Sequence, residues 1–365
     1  MPAVRALVPL VVLALAAGGC LFTPERRLVP PPAAETDATA SLQAELDQGG
    51  RIFLPRLPGG ACYRTHGLWV SRPGTELTSD GACLEALGPG PVRAHSPDGD
   101  PVTASAVLFV ARTAGGLRPF FVRISGLRIV VPRQAESYGI AVFGDDVVIR
   151  DVSVEGEPID ALAVGGRGSV PARDVTVEGA RLLGGRRNVV SIVSAVGLRI
   201  EHSVIRAASD DYQAPGASSA TGNPAAGIDL EPDDSLDPIV DVRIAGNTIE
   251  ANGGPGILLA LSTDSGPPRR ATNIAIAGNR ILDNDRRSTP PQHGGIAFQG
   301  GQADGRGVVH VTANVISGNR GAGLQGHPTE GTTMRVLASG NDLRGNEGGP
   351  VQFVRVGAGS RIEDA

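Results

Sequence analysis

Residues 227–232 read Gly-Ile-Asp-Leu-Glu-Pro, so that Asp229 and Glu231 alternate with Ile228 and Leu230. In an extended chain, successive side chains point to opposite faces. This stretch therefore sends two carboxyl groups one way and two apolar side chains the other. Side chains two residues apart on a strand are ~7 Å apart. At that separation one carboxylic acid protonates a leaving oxygen while the other carboxylate activates water, as in inverting glycoside hydrolysis. The sequence leaves open which acid takes which role. The same acids, with Asp233 and Asp234, offer hard oxygen ligands, so calcium is a candidate cofactor. No metal motif with Cys/His spacing is present.

Further candidates surround this pair. Asp210, Asp211 and Tyr212 open a long polar segment, 208–226. Folded back, the two acids would join the catalytic set and the tyrosine would meet substrate. Arg187 and Asn188 lead into a neighbouring strand, and the guanidinium suits an acidic sugar. Ser191, Gln299 and His327 enter through the strand alignment below. A plainer reading stands beside each: charged groups on an outward strand face or in a loop are usually only solvated, and His327 equally reads as a surface residue.

The elements that must position these groups repeat. Asn247-Thr-Ile-Glu-Ala-Asn252, Asn279-Arg-Ile-Leu-Asp-Asn284, Asn314-Val-Ile-Ser-Gly-Asn319 and Asn341-Asp-Leu-Arg-Gly-Asn346 share the pattern N-x-[IL]-x-x-N. An alternating strand precedes each, and a Gly with a second short strand follows. Earlier units, such as "DVVIRDVSVEG" and "GLRIEHSVIRAA", keep the strands without the Asn pair. A unit of two or three short strands cannot bury its apolar face alone, so it must stack on its neighbours. Asn at one place in successive units forms a ladder along the stacking axis. Aligning the strand after each turn puts Ile140/Val142, Leu162/Val164, Val190/Ile192, Ile228/Leu230, Ile257/Leu259, Ile296/Phe298, Leu324/Gly326 and Val351/Phe353 inward. The outward partners are mostly Ala, Gly, Ser and Gln, which implies a groove floor walled by segments 208–226 and 283–294. On it, Ser191 is one coil from the acids, Gln299 two and His327 three.

The bulk properties agree. Gly (51) and Pro (28) are abundant, and apolar residues reach 41%, which fits a turn-rich β protein. All 33 basic residues are Arg, and the net charge of −5 argues against nucleic acid as a partner. Residues 1–19 have the order of an export signal, one Arg before a short apolar run and then small residues up to Cys20. Residues 20–38 are Pro-rich and read as an extended tether. Residues 39–48 fit a short amphipathic capping helix with Thr39 or Ser41 as N-cap and Leu42 and Leu46 on one face. Cys62 and Cys83, about one coil apart in an exported chain, are expected to form a disulfide. The repeat occupies 39–356, and 357–365 is a short polar tail.

"AAGGC" resembles the end of a bacterial lipoprotein signal, with Ala17 where Leu is usual. That resemblance implies lipidation at Cys20 and anchoring at the cell envelope, at the outer membrane. The repeats and the helix, Gly-Gly, strand entry resemble the right-handed parallel β-helix of the pectate-lyase-like superfamily. The fold class expected is all-β, a solenoid of about ten coils with an N-terminal capping helix. "RNVVSIVSAVGLRIEHSVI" followed by "GIDLEP" is similar to a recurring arrangement in bacterial proteins of that group, which implies Asp229, Glu231 and Arg187 as site residues. The catalytic patterns of polygalacturonases and mannuronan epimerases are missing. The expected function is a monomeric surface protein acting on a polysaccharide as hydrolase or lyase. The alternative is a non-catalytic glycan-binding or structural rod, which an aromatic content of only 3% favours.

Overall fold

The computed structural model describes residues 26–29, 37–89, 94–95, 105–113, 115–166, 170–212, 224–261, 272–287, 293–299, 307–327, 335–353 and 361–364. The signal segment and Cys20 lie outside them. Three parallel sheets of fourteen, nine and ten strands run the length of the molecule, and each coil adds a strand to each sheet in turn. Among the described residues the one antiparallel pair joins Ala94–His95 to Arg112–Thr113. The ten strands of the third sheet match the expected number of coils.

Alternation fixes which side chains meet. In the third sheet, Leu108, Ile140, Leu162, Val190, Ile228, Ile257, Ile296 and Leu324 fall opposite one another in register. All belong to one continuous buried core. Each such side chain contributes roughly 1.5–3 kcal/mol on burial, and a slip of one residue would turn the whole column outward. The inward column read from the sequence is therefore the observed one as far as Leu324; Val351, in register beyond it on the last strand of the sheet, is 43% exposed because no further coil of that sheet covers it among the described residues.

Two asparagine ladders brace the later coils. Asn247, Asn279, Asn314 and Asn341 form one, and Asn252, Asn284, Asn319 and Asn346 the other. Each amide donates to the next asparagine's oxygen, which also accepts that residue's own backbone N–H, as at Asn284 and Asn319. The second ladder explains the glycine before each following strand. A Cβ at Gly227 would come within 2.7 Å of the Asn252 amide nitrogen, and one at Gly256, Gly295 or Gly323 within 2.9 Å of Asn284, Asn319 or Asn346. The ladder thus occupies the space that a side chain would need.

The open end of the core is covered by a helix, Thr39–Leu46, which buries Leu42, Gln43 and Leu46. Its first N–H is satisfied by the Asp37 carboxylate, which accepts from Thr39 N at 2.8 Å, so neither Thr39 nor Ser41 serves as the N-cap. The acid upstream reaches the orphan donor that a threonine inside the helix cannot. Gln43 acts as a surrogate strand: its amide donates to Trp69 O at 3.0 Å and accepts from Trp69 N at 2.8 Å, closing the edge strand Leu68–Val70. The Cys62–Cys83 disulfide is present, between residues that face each other across adjacent coils. Part of the segment read as a tether docks instead: Arg27–Leu28 pairs with Ile52–Phe53, and Val29 is buried. At the other end, Arg361–Asp364 of the expected tail adds a further strand beside Arg335–Ala338.

Asn284 makes or accepts four of these bonds, to Ile249 O, Asn319 and both Asn252 nitrogens. At about 0.5–1.5 kcal/mol net each, Asn284→Ala should cost about 2–4 kcal/mol, read as a lowered urea midpoint. Asn346→Ala, at the half-buried end of the same ladder where water can substitute, should cost less than half as much.

Candidate functional site

Asp229 occupies the middle of a long outward row. Trp69, Phe109, Ala141, Ala163, Ser191, Asp229, Leu258, Ala297, Gln325 and Gln352 stand in register on consecutive coils. Its carboxyl faces away from the core, as alternation requires. The row is not the open floor expected from its small side chains. Asp229 is 2% exposed, and Leu258 and Ala297 are wholly buried in a satellite cluster with Ala226 and Ala260. The accessible part of the site is its edge, where Glu231 and Asp233 are exposed and Arg187, Tyr138 and Tyr212 are half-buried.

Asn188 is the bracket that holds Asp229. Its amide nitrogen donates to Asp229 Oδ2 at 2.8 Å and to Ser191 Oγ at 3.1 Å, and its oxygen accepts from Ala226 N at 2.9 Å. One coil earlier, Asp160 stands opposite Asn188 and plays the same part, accepting from Asn188 N at 3.0 Å. Asp160 is fully buried and takes a forked contact from Arg187, with Nε at 3.2 Å from Oδ1 and Nη2 on Oδ2. Burial works against the Arg187 charge, but Asp160 outweighs it and the guanidinium is held more firmly protonated than usual. It lies 5.9 Å from the Tyr138 ring. Burial pushes the Tyr138 hydroxyl up to about 12, with Arg187 pulling the other way.

The two acids touch. Burial raises the Asp229 carboxyl well above its ordinary range, and the Glu231 charge raises it further. Burial raises Glu231 too, while its contact with Asp229 pulls it down. Glu231 is exposed as a residue, yet burial of its carboxyl is the largest influence on it, with Arg187 opposing the rise and the Asp233 charge adding to it. Among the described residues Asp229 Oδ1 has no hydrogen-bond donor. Its neighbour is the Glu231 carboxyl, so the two acids titrate together as a dyad. The expected ~7 Å separation gives way because the strand ends at Leu230. Beyond it Glu231 is free to turn its carboxyl back onto Asp229.

The remaining candidates fall into two groups. Ser191 and Asn188 belong to the dyad's support, and Tyr212 stands beside Arg187, its hydroxyl raised by burial. Asp211 does not reach the dyad. It pairs with Arg133 at 2.7 Å and lies 3.6 Å from Arg186, and despite burial these arginines hold it below the ordinary carboxylate range. Asp210 lies 3.9 Å from Arg287, linking the roots of the two expected walls. The second wall is rooted by buried Asp285, 3.1 Å from His293 Nδ1. Parts of both walls, 213–223 and 288–292, lie outside the described residues. Gln299 sits two coils from the dyad, opposite His327, whose side chain lies outside the described residues. Among the described residues no cluster of three acids, histidines or cysteines suits a metal. Tyr138 and Asp160 escaped the sequence reading. Aligning "DALAV" with "NVVSI" already put Asp160 beside Asn188.

The family described as the right handed beta helix region matches residues 138–347. That is more than half of the chain, and the chain belongs to this family. No curated protein matches. Among solved structures, the chain is similar to a tailspike protein of Escherichia coli bacteriophage HK620 in complex with a pentasaccharide. The identity is 14%, over 86% of this chain and 54% of that one, with a TM-score of 0.57. It therefore spans about half of that tailspike. It is also similar to the catalytic unit of a thermostable GH87 α-1,3-glucanase from Streptomyces thermodiastaticus, at 16% identity over 94% of this chain and 71% of that one, TM-score 0.50. The A-module of the Azotobacter vinelandii mannuronan C-5 epimerase AlgE4 is 16% identical over 90% and 96%, TM-score 0.41. At these identities the likeness establishes the fold alone.

The raised Asp229 carboxyl ties stability to pH. Its proton is held more tightly folded than unfolded. That contribution is complete below the unfolded value of about 4 and is lost as pH rises through the raised folded value. The loss is about 1.4 kcal/mol for each pH unit over which the folded carboxyl keeps its proton and the unfolded one does not. Asp229→Asn keeps a neutral side chain throughout. Its Tm should therefore fall less than that of the wild type as pH rises above about 4; parallel Tm–pH curves would remove Asp229 as the titrating group.

Proposed function

We propose that the chain acts on an extracellular polysaccharide at the Asp229–Glu231 dyad. The observation that carries this reading is the buried Asp229 oxygen, which has no donor among the described residues and lies beside the Glu231 carboxyl. In this reading the two carboxyls share one proton, which makes the pair an acid and a base at once. In this reading Glu231, at the exposed edge, gives the shared proton to the glycosidic oxygen as the anomeric carbon–oxygen bond breaks. Water adds to that carbon, and the proton it loses returns to the dyad. Asp229 holds the proton supply behind Glu231, and Asn188 fixes the geometry. Tyr138 and Tyr212 offer the stacking surfaces that a sugar ring needs. The tailspike in complex with a pentasaccharide and the α-1,3-glucanase support a glycan-related role for this fold.

A second reading is a non-catalytic glycan binder, favoured by the same two tyrosines, which recognise a sugar without any chemistry. The chain's place at the cell envelope, through lipid on Cys20, is also part of the proposal. It rests on the sequence from Met1 to Cys20.

General acid–base groups typically contribute about 10²–10⁴-fold to a rate. Glu231→Gln and Asp229→Asn, assayed on a polysaccharide panel by reducing-end release, should each lower turnover by that order while leaving sugar binding in place. Unchanged turnover in both variants would sink the enzymatic reading. Bound glycan without turnover in the wild type would leave the binder. For the anchor, Cys20→Ser should move the protein from the membrane to the soluble fraction; an unchanged distribution would dismiss it.

A further inference from the structure

Arginine beside a carbohydrate site ordinarily signals an acidic sugar. Here the arginines are already engaged. Arg187 spends Nε and Nη2 on the buried Asp160. Arg186, 7% exposed, donates to Glu136 at 2.8 Å and lies 3.6 Å from Asp211. Arg133 bridges Asp211 and Glu157 at 2.7 and 2.9 Å. The groups left without an arginine are acids. Among the described residues, Glu231 and Asp233 at the exposed edge have no ion-pair partner, and the Asp233 charge is felt at both Glu231 and Tyr138. The surroundings of the dyad are therefore negative where a ligand must enter. A second anion there meets these two carboxylates, while Arg133, Arg186 and Arg187 are already paired and repay little of its lost hydration.

Resting on the polysaccharide reading above, we infer that the site takes a glycan free of acidic groups, neutral or amine-bearing, and rejects those carrying carboxylate, sulfate or phosphate. Arg187 is then a positioning residue. It secures Asp160, Asp160 accepts the backbone N–H of Asn188, and Asn188 sets Asp229. The chemistry follows the same line. Elimination in a polysaccharide removes a proton next to a uronate carboxyl, so a non-acidic substrate leaves hydrolysis as the cleavage open to the dyad.

The test is an array of neutral, amine-bearing, uronate and sulfated polysaccharides probed with the full chain, with affinities of the bound glycans measured in solution. Binding confined to neutral or amine-bearing glycans is the expected result. Preference for uronate or sulfated glycans would overturn this inference and leave the polysaccharide reading standing. Binding to nothing on the array would overturn both. A second measurement uses the exposed edge. Asp233→Asn removes one charge that no arginine holds and leaves the Arg186–Glu136 pair intact, and affinity for oligogalacturonate should rise by roughly threefold. No gain would show that edge charge does not set the selectivity.

Discussion

Everything in this molecule hangs on parallel register. Each strand position is hydrogen-bonded to the same position in the coils on either side, so a residue's environment is set by the column it stands in. The inward columns are apolar and continuous, and they turn a set of individually unstable units into one core. The asparagine ladders work through the same constraint. An amide is satisfied only if the next coil presents its own amide one spacing away, and the glycine column leaves room for it. Register is thus specified twice, by apolar burial and by directional bonds.

The candidate site is built from these columns. Asp160, Asn188 and Ala226 stand at one position of successive coils. Each of the first two lends a side-chain oxygen to the next coil's backbone N–H. Where the ladder residue is Asn188, its spare amide hydrogens point at the adjacent outward row and fix Ser191 and Asp229. Where it is Asp160, its spare oxygen binds Arg187 instead. A structural device that ties coils together also orients the polar groups beside it, so stability and site geometry share the same bonds.

Much of this was legible in the sequence, for a physical reason. Strand alternation has an invariant period, so the faces of Ile228, Asp229 and Leu230 follow from the order of residues alone. The Asn pattern likewise announces its ladder. Three things were not legible. The row around Asp229 is made of small residues, which read as an open floor but are equally suited to lying under cover, as Ala297 does. The end of the strand at Leu230 decides that Glu231 meets Asp229, and a two-residue spacing is silent about where the strand stops. Arg187 was visible as a cation, but its partner lies 27 residues away in the preceding coil. Only the alignment, taken two residues further back than the apolar pairs, brings Asp160 to it.

Asp229 itself is the position that register does not explain. Its neighbours in the row, Ser191, Leu258 and Ala297, show what the site accepts at low cost. A rod needs nothing more there. A carboxyl in the same place must either be ionised without enough donors, at a cost of several kcal/mol, or keep a proton well above its ordinary range. Asn188 satisfies one oxygen, and no donor among the described residues satisfies the other. Leucine or alanine would remove the difficulty while preserving the column. Local rules are broken in this way where something other than stability is being served. Within the described core it is this coil, with the arginine, the asparagine and the two tyrosines gathered around it, that departs from what a stacked solenoid requires.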